Sequence, residues 1–495
     1  MIDWFRGAVG YTNAVALVYF ALLGALQLSL MATAAVGVAR RQLHDLSLAG
    51  FDRRSSAVTP RVTVIVPAHD EEAVVADTVR AMLTNSYPDL EVIVVNDGST
   101  DGTMAALVAA FDLRPVDRVL PRGRTGAMIR SVLTSERHHG LVVVDAEPSG
   151  AKAGALNIGL AMASGELVCA VDADTLADPD AIALLVQPFL EDERVVASGG
   201  TIRVVNGCRV VRGRVVEDRP PRGFLGRIQE AEYVRSFVFG RLGWNRLGGN
   251  VLISGAFGLF RTDALRAVGG YRTGSVGEDL EVVLALRRWG REHGGPDRIE
   301  MVPDAVAWTE VPADHRTLGR QRSRWQAGLM LALWRYRGLI GRPRYGPMGT
   351  FVLPCYLVFE LLAPVVEVVG LVVIAVGLLT GTLGGPEVAM FAALAYGLAL
   401  VVGVWALVLD AWVDPGRRSG REWASRAGVL VAEQVGFRQM GVWWRLRGIA
   451  DALGGAPAWG RQVRSGFGEV TSGPAAVPTV APAMGASGSD RGARP

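Results

Sequence analysis

Long hydrophobic runs lie near both ends of the chain, and shorter β-branched runs lie between them. Residues 13–39 carry no charged side chain and exceed the ~20 apolar residues that span a bilayer. Further apolar runs cover residues 350–380, 388–409 and, more weakly, 424–444. The pattern predicts membrane helices on both sides of a central soluble domain.

The central region alternates short apolar strands with helical patterns. The predicted strands are "RVTVIVP" (61–67), "LEVIVV" (90–95), "LVVV" (141–144) and "ELVCAVDADT" (166–175). This alternation predicts an α/β fold whose mostly parallel sheet is covered by helices on both faces. In such sheets ligands bind beyond the carboxyl ends of the strands, where the polar motifs of this chain lie.

The charge and cysteine content indicate which side of the membrane this domain faces and which partners it lacks. Four arginines follow the first hydrophobic run within residues 40–54, whereas only Arg6 precedes it. The positive-inside rule therefore predicts an outer N-terminus and a cytosolic central domain. The net charge of +3 is too balanced to indicate a nucleic-acid partner. The three scattered cysteines lack metal-ligand spacing, which predicts reduced thiols and no structural zinc.

The C-terminal runs leave their topology open. Prolines interrupt residues 350–380, which can form an interfacial helix followed by one span. Residues 424–444 carry Glu433, Gln434 and Arg438, which are costly in hydrocarbon unless they face protein or water. An interfacial position is favoured for this segment because it keeps the arginine-bearing tail inside. The chain is thus predicted to be a multi-pass protein of the inner (plasma) membrane.

Four parts of the chain follow from these patterns. The first is an anchor rather than a cleaved signal peptide, because it lacks a basic start and a small-residue cleavage site. The last part begins with several arginines and then contains few apolar residues, a composition that predicts disorder. The predicted parts are an N-terminal transmembrane anchor (1–40), a cytosolic α/β domain (41–345), transmembrane and interfacial helices (346–450) and a tail (451–495).

Two acidic motifs follow predicted strands. Asp97 in "NDGST" either belongs to a turn that caps the next helix or accepts a hydrogen bond from a nucleobase such as uracil. Asp172 and Asp174 in "VDADT" would point to the same side of an extended backbone. Close carboxylates repel unless a cation lies between them, and Mg²⁺ or Mn²⁺ prefers such carboxylates with phosphate oxygens. The second motif therefore predicts a divalent-metal site.

Three further motifs each have a simple and a functional interpretation. Lys152 in "AKAGALN" is the only lysine, either by chance or because the site needs a compact ammonium. Glu278 and Asp279 in "SVGEDLE" either complement a helix dipole or present a general base. The arginines and tryptophan of "RQRSRWQAG" (320–328) either anchor the chain at a membrane surface or form a more specific Q-x-x-R-W motif.

The ordered set "PAHDEE", "NDGS", "KAGALN", "DAD", "GED" and "QRSRW" resembles the membrane-embedded glycosyltransferases of family 2. This group includes cellulose, hyaluronan and poly-N-acetylglucosamine synthases. The resemblance runs from about Val62 to Gly328. It implies a GT-A type domain that transfers a hexose or N-acetylhexosamine from a UDP-sugar with inversion.

The resemblance also implies roles for single residues. Asn96 and Gly277 depart from the usual motifs of the group, which have Asp and Thr there, so no particular polymer is implied. The implied roles are nucleotide binding by Asp97, Lys152 and Asp172, metal binding by Asp174 and Asp172, general-base catalysis by Asp279, and closure over diphosphate and acceptor by Gln321, Arg324 and Trp325.

Processive synthesis of a polysaccharide at the membrane is the favoured function. Its partners would be a UDP-sugar donor, a carbohydrate acceptor or polymer, the lipid bilayer and accessory export subunits. The alternative within the same family is transfer of a single sugar to a lipid. A non-catalytic nucleotide-sugar sensor is disfavoured because a sensor needs no base such as Asp279.

Overall fold

A ten-stranded sheet with helices on both faces forms the centre of the molecule. The computed structural model describes residues 2–47, 59–117, 127–414, 420–455 and 466–467. Ten strands form the main sheet, and β9 and β10 form a separate hairpin. The strands are β1 (Val62–Ala68), β2 (Leu90–Asp97), β3 (Leu113–Pro115), β4 (Ile129–Ser135), β5 (Leu141–Ala146), β6 (Leu167–Val171), β7 (Thr175–Ala177), β8 (Val195–Val204), β9 (Arg209–Val211), β10 (Arg214–Glu217), β11 (Phe257–Arg261) and β12 (Arg298–Thr309).

Helices precede the sheet, cover it and follow it. The α-helices are α1 (Ile2–Ser47), α2 (Val75–Leu83), α3 (Thr103–Phe111), α4 (Lys152–Met162), α5 (Ala181–Glu191), α6 (Phe224–Val234), α7 (Leu242–Arg246), α8 (Thr262–Ala267), α9 (Glu278–His293), α10 (His315–Arg335), α11 (Leu353–Cys355), α12 (Ala363–Leu379), α13 (Gly385–Ala392), α14 (Leu398–Val413), α15 (Gly420–Ala432) and α16 (Phe437–Gly454). Further turns are π-helical at Arg235–Arg241, Met348–Val352, Tyr356–Leu361 and Ala393–Gly397, and 3-10 helical at Arg337–Leu339 and Pro343–Tyr345.

The predicted α/β architecture is confirmed, with a mixed but largely parallel sheet. The strand order is β3-β4-β5-β2-β1-β6-β11-β8-β12-β7. Only β4, β7 and β11 of this sheet run against the other strands. The four strands predicted from sequence are the parallel block β5-β2-β1-β6.

Alternating apolar side chains bury both faces of the sheet. Val62, Val64 and Val66 of β1 face one hydrophobic cluster, which α2, α3 and α5 cover. Ile65 faces the opposite cluster, together with Ile93 of β2 and residues of α4 and α9. Because both faces are covered, these strands read as continuous apolar runs.

The parallel register brings the carboxyl ends of the motif-bearing strands to one edge. Ala68 at the end of β1 pairs with Asn96, and Asp97 at the end of β2 pairs with Ala146 of β5. On the other side, β1 pairs with β6, which leads into Asp172. The polar motifs that follow these strands therefore lie at the same edge of the sheet.

Among the residues that the structure describes, two helices are long and apolar enough to cross a membrane, Ala14–Gln42 and Gly385–Val413. A third span is possible if Met348–Leu361 and Ala363–Leu379 act as one, because they are bent by 46° at the junction. Pro364 lies in the first turn of the second helix, where proline favours a break in the preceding turn.

The weak hydrophobic run at 424–444 is split between α15 and α16. In the part of the chain that the structure describes, neither helix meets the length and hydropathy expected of a span. α16 continues past residue 450 to Gly454, beyond the boundary predicted for the tail. Most of residues 451–495 lie outside the described residues.

α16 packs along α10, the helix that contains the Q-x-x-R-W motif. Ser323 Oγ donates to the backbone oxygen of Trp444 at 2.8 Å, and Arg445 Nε donates to Gln326 Oε1 at 2.9 Å. Gly319 lies against the Trp444 indole, where a side chain would collide with the ring. The C-terminal helices thereby hold α10 against the catalytic domain.

Buried ion pairs fix α14 to the sheet. Arg203 of β8 lies 2.9 Å from Asp410 of α14, and Arg426 of α15 lies 3.0 Å from the same carboxylate. Arg426 also pairs with Glu230 of α6. Removing one member would leave a buried charge uncompensated, so this network couples the apolar helices to the domain.

Candidate functional site

Asp97 lies at the end of β2 and holds the loop that precedes α4. The backbone N–H of Ser149 donates to Asp97 Oδ1 at 2.7 Å, and Ser149 Oγ donates to Asp97 Oδ2 at 2.9 Å. His69 Nδ1 lies 2.8 Å from the backbone oxygen of Asp97. Each carboxylate oxygen has two lone pairs, so Asp97 can still accept a further hydrogen bond from a ligand.

The turn after Asp97 does not cap α3 as predicted. Gly98 has a φ of +64°, as a tight turn requires, but the residue before α3 is Gly102, and Asp101 rather than Ser99 or Thr100 accepts the first helical N–H, that of Thr103, at 3.0 Å. Ser99 and Thr100 instead contact Asp70: Ser99 Oγ accepts from the Asp70 N–H at 3.0 Å, and Asp70 Oδ1 accepts from the Thr100 N–H at 2.7 Å. These bonds join the loops that follow β1 and β2.

The two aspartates after β6 lie in a turn, not in the extended backbone that the sequence predicted. The N–H of Thr175 donates to the backbone oxygen of Asp172 at 3.0 Å, and β6 has already ended at Val171. The argument that side chains two residues apart share a side therefore does not apply here. The turn lets Asp172 reach Lys152, while Asp174 is buried and lies near Tyr233.

The donor set around these aspartates fits a hard divalent cation only when a ligand completes it. Asp172 and Asp174 supply carboxylate oxygens, which Mg²⁺ and Mn²⁺ prefer. Within the described residues, no group of three or more His, Cys, Asp or Glu could hold a metal ion. Phosphate oxygens from a bound nucleotide would therefore have to supply the missing ligands.

Lys152 begins α4 and lies among three carboxylates. Its Nζ pairs with Asp172, lies 3.8 Å from Glu278 Oε1 and donates to the backbone oxygen of Gly255 at 2.9 Å. Burial alone would favour the neutral amine, but Asp172 and Glu278 raise the pKa of Lys152 above its ordinary value. The ammonium therefore stays charged and holds together α4, the turn after β6 and the start of α9.

Asp279 lies next to this ion-pair cluster. A Cβ added to Gly255 would lie 3.0 Å from Lys152 Nζ and 3.7 Å from Asp279 Oδ2, so glycine at this position lets both side chains approach. Asp279 also accepts the N–H of Leu280 at 2.8 Å in the first turn of α9. The structure thus brings together Lys152, Asp172 and Asp279, three of the residues that the resemblance singled out.

α10 packs directly on the turn that precedes Asp279. A Cβ on Gly277 would lie 3.2 Å from the Cα of Gly328, and a Cβ on Gly328 would meet Gly277 at the same distance. This contact gives a physical reason for the glycine found where related motifs have threonine. A side chain at Gly277 would push α10 away from the start of α9.

The three motif residues of α10 differ in their surroundings. Trp325 is 44% exposed, and the guanidinium of Arg322 lies 4.5 Å from its ring centroid. Gln321 Oε1 is buried and has no hydrogen-bond partner among the described residues. Arg324 is partly buried on the same helix. Arg322 and Asp174 both lie within electrostatic reach of Tyr233, which links α10 to the turn after β6.

Comparison with known families identifies the domain that carries this site. The family model "Glycosyl transferase family 2" matches residues 63–269, and "Glycosyl transferase family group 2" matches residues 167–409. This chain contains a family 2 glycosyltransferase domain. The match and the mixed, largely parallel sheet together confirm the predicted GT-A type fold, and a family 2 glycosyltransferase is an enzyme.

Curated relatives of this glycosyltransferase domain match over about half of the chain. A poly-β-1,6-N-acetyl-D-glucosamine synthase of Staphylococcus epidermidis is 29% identical over 267 residues, which cover 54% of either chain. A probable glycosyltransferase of Bacillus subtilis (strain 168), YdaM, is 28% identical over 281 residues, covering 56% of this chain and 57% of the relative. The match thus spans about half the length of these relatives.

Solved structures of similar shape include a mannosyltransferase of Pyrobaculum calidifontis, PcManGT, in complex with GDP-Man and Mn²⁺. It is 20% identical, and the alignment covers 84% of this chain and 99% of that chain with a TM-score of 0.48.

Several residues of the site were not predicted from sequence. Ser149 bonds Asp97 through both its N–H and its hydroxyl, and Gly255 matters through its lack of a side chain; neither residue belongs to a recognised motif. Tyr233 lies in a helical stretch with no motif, where the charge of Asp174 acts on its phenol. The position of Glu278 next to Asp279 in the sequence was a signal that it belongs to the site. Its contact with Lys152, however, depends on the fold.

Glu278 gives the glycosyltransferase domain a pH-dependent stability. Burial raises the pKa of Glu278 to about 7; Lys152 opposes this shift and Asp279 adds to it. The folded state therefore keeps a proton on Glu278 up to about pH 7, whereas the unfolded chain releases it near 4.5. The free energy of unfolding that this carboxyl group contributes is fully present below pH 4.5. It decreases by roughly 3 kcal/mol as the pH rises from 4.5 through 7.

We expect Glu278→Gln to gain stability relative to wild type as pH rises from 4.5 to 7, because the amide cannot ionise. Melting temperatures of the detergent-purified proteins measured from pH 4 to pH 8 would show this widening gap. Glu136→Gln is a matched control, because Glu136 is exposed and pairs with Arg114 at the surface. Parallel profiles for wild type and Glu278→Gln would contradict the assignment.

Proposed function

We propose that this protein transfers a sugar from a UDP-sugar to a carbohydrate acceptor at the membrane, with inversion at the anomeric carbon. The observation that carries the proposal is the position of Asp279. Its carboxylate lies at the start of α9, beside Gly255 and the Lys152–Asp172 pair, at the edge where the parallel strands end. A general base belongs in such a place, next to both donor and acceptor.

Asp97 and Lys152 would bind the nucleotide on the donor side. Asp97 retains acceptor capacity for a nucleobase N–H beyond its two bonds from Ser149. Lys152 lies in the first turn of α4, where backbone N–H groups also favour anions such as a diphosphate. Its ammonium already pairs with Asp172. A bound diphosphate would therefore compete with the Asp172 carboxylate for the Lys152 ammonium.

Asp174, with Asp172, would hold Mg²⁺ or Mn²⁺ against the diphosphate. When bound, the cation offsets the negative charge of the leaving nucleotide. Asp279 takes the proton of the attacking acceptor hydroxyl, and Lys152 and Arg324 stabilise the diphosphate as the sugar bond breaks.

On the acceptor side, the exposed Trp325 ring offers an apolar surface for a sugar. Its helix, α10, lies between the catalytic turn at Gly277 and the C-terminal helix α16. This arrangement favours a growing polysaccharide that leaves along the membrane helices, and the named poly-N-acetylglucosamine synthase relative agrees with it. Transfer of a single sugar to a lipid is the second candidate, because the possible spans are as few as two.

The proposed arrangement in the cell is a multi-pass protein of the plasma membrane. Residues 1–40 would anchor the chain, the catalytic domain (41–345) would face the cytosol, and the helices within 346–450 would return to the bilayer. Accessory subunits would then receive an exported polymer on the outer side.

A panel of nucleotide sugars tests this function directly. Detergent-purified full-length protein is incubated with UDP-glucose, UDP-N-acetylglucosamine, UDP-galactose, UDP-glucuronate and GDP-mannose, and nucleotide release and product size are measured. We expect one UDP-sugar to be consumed and a long saccharide to form. A product bearing a single sugar would favour the lipid-acceptor alternative, and consumption of GDP-mannose alone would contradict the UDP assignment.

We expect Asp174→Ala to abolish the response of the enzyme to divalent metal. Mn²⁺ titrated onto the protein with UDP present should bind the wild type and lose most of its affinity in the variant, because one of two carboxylate ligands is gone. Chelator should likewise stop turnover by the wild type, and added Mn²⁺ should restore it. Full activity in excess chelator would show that the two aspartates are structural.

A further inference from the structure

Arg322 of α10 connects α6 to the ring of Trp325. Its Nη2 donates to Glu232 Oε2 of α6 at 2.6 Å, and its Cζ lies 4.5 Å from the centroid of the Trp325 ring. Both members of the ion pair are largely shielded, with 17% of the Arg322 side chain and 27% of the Glu232 side chain exposed. A cation over an indole is attracted by its π system. The three side chains therefore form a row across two helices, the Glu232–Arg322–Trp325 row.

A second arginine–tryptophan contact, at the end of α10, shows how this row differs from a local pair. Arg337 Cζ lies 4.7 Å from the ring centroid of Trp334, and these two residues are also three apart in the sequence. Both are exposed, and Arg337 Nη1 donates to the backbone oxygen of Trp334 at 3.0 Å. That contact lies within one turn of the chain. At Trp325, by contrast, a carboxylate from another helix holds the arginine.

Trp325 lies one helical turn from the contact between α10 and the loop that carries the proposed base. Residues three apart in a helix share a face, so Trp325 lies on the same face as Gly328. The Cα of Gly328 would lie 3.2 Å from a Cβ added to Gly277, which precedes Asp279 by two residues. Trp325 is 44% exposed, so its ring keeps accessible surface although Arg322 lies over it. A sugar can reach this ring beside the site.

We infer that Arg322 is a positioning residue that holds Trp325 in the orientation that binds the acceptor sugar, and that Glu232 holds Arg322. A free tryptophan side chain loses rotamer freedom when a sugar packs on it, which lowers affinity. The ion pair and the cation–π contact order the indole before the acceptor arrives, so this cost is reduced. The inference rests on the proposed function of Trp325 and adds two residues that the Q-x-x-R-W motif does not specify.

The acceptor kinetics of Arg322→Met test the inference in full-length protein. Arg337→Met is the matched control, because it removes an arginine–tryptophan contact of similar length close to the same helix. Transfer is measured with the donor that the wild type consumes, at varied concentrations of an oligosaccharide of the same sugar. UDP affinity is measured by titration on the same samples.

We expect Arg322→Met to raise the acceptor KM about 3- to 10-fold, the loss that follows from ordering one more side chain on binding. The kcat and the UDP affinity should stay within about twofold of the wild type, because the base and the nucleotide contacts are untouched. Arg322→Lys keeps a cation beside Glu232 and should recover part of the acceptor affinity. Arg337→Met should leave every value unchanged.

Glu232→Gln tests the other end of the row, and it does so even if Arg322→Met does not fold. The amide keeps the shape of the side chain but holds the guanidinium less strongly than a carboxylate. We expect the acceptor KM of Glu232→Gln to rise about 2- to 5-fold, with the UDP affinity unchanged.

Combining Arg322→Met with Trp325→Ala tests whether Arg322 acts through the indole. A positioning residue has nothing to hold once the ring is gone, so in this background Arg322→Met should change the acceptor kcat/KM by less than about twofold. If Trp325→Ala transfers too slowly to compare, Trp325→Phe is the second background. Its ring attracts a cation less than an indole does, so the loss caused by Arg322→Met should be smaller than in the wild type.

A loss of acceptor kcat/KM as large without the indole as with it would overturn the inference, because Arg322 would then act directly or through the fold. An acceptor KM that rises in neither Arg322→Met nor Glu232→Gln would also overturn it. Equal acceptor KM values for the methionine and lysine variants would refute the role of the charge. All these results leave transfer by the wild type intact. Absence of that transfer would instead refute the proposed function, and the acceptor role of Trp325 with it.

Discussion

Asp279→Asn is expected to lower sugar transfer by about 10²- to 10⁴-fold while UDP affinity stays within about twofold. The amide keeps the size and the local hydrogen bond to the Leu280 N–H but cannot take a proton. The nucleotide contacts at Asp97 and Lys152 lie on other elements and are not altered. UDP release in the presence of acceptor, with UDP titration on the same samples, measures both quantities.

Asp263→Asn is the matched control for this variant. Asp263 also lies in the first turn of a helix, α8, and accepts the next N–H at 2.7 Å, but it is exposed. If Asp279 only complemented its helix dipole, the two variants would behave alike, with small losses of stability and normal turnover. That result would remove Asp279 as the base.

Lys152→Met is expected to destabilise the fold by about 3 kcal/mol and to abolish UDP binding. The substitution removes the one ammonium that lies beside Asp172 and Asp279, and leaves their partly buried negative charges without a compensating partner. Chemical denaturation of the purified protein measures the stability, and UDP titration measures the binding. Arg114→Met breaks an exposed ion pair of the same domain and should cost less than 1 kcal/mol.

Two further variants separate charge from shape at this position. Adding Asp172→Asn to Lys152→Met should recover part of the stability, because the carboxylate that has lost its ammonium partner is then neutral. Lys152→Arg keeps the charge but should bind UDP weakly, because Gly255 and Asp279 closely surround the compact ammonium. Additive losses in the double variant, or wild-type UDP affinity in Lys152→Arg, would contradict this account of Lys152.

The sequence predicted those parts of the fold that have a strong local signal. The strands β1, β2, β5 and β6 were visible as β-branched runs, and α4 and α9 begin at the predicted motif residues Lys152 and Glu278. The antiparallel strands β4 and β11 were not predicted. β11 pairs with β6 and β8, which lie far from it in the sequence, so local hydrophobic patterns do not encode its place; β4 pairs with its chain neighbour β5, but its mixed sequence gives no strong strand pattern.

The site could be predicted as a set of residues but not as a geometry. The motifs singled out Lys152, Asp172 and Asp279, and the folded chain places these three side chains near one another. The extended-backbone argument for Asp172 and Asp174 was wrong, because the chain turns immediately after β6.

The central claim is that sugar leaves a nucleotide at Asp279 and joins an acceptor. Its most direct test counts both products in one reaction: the UDP released and the labelled sugar found in the saccharide, for purified wild type and Asp279→Asn. The account predicts one sugar incorporated per UDP released by the wild type, and neither above background in the variant. UDP release without incorporated sugar, or equal incorporation by both proteins, would contradict it.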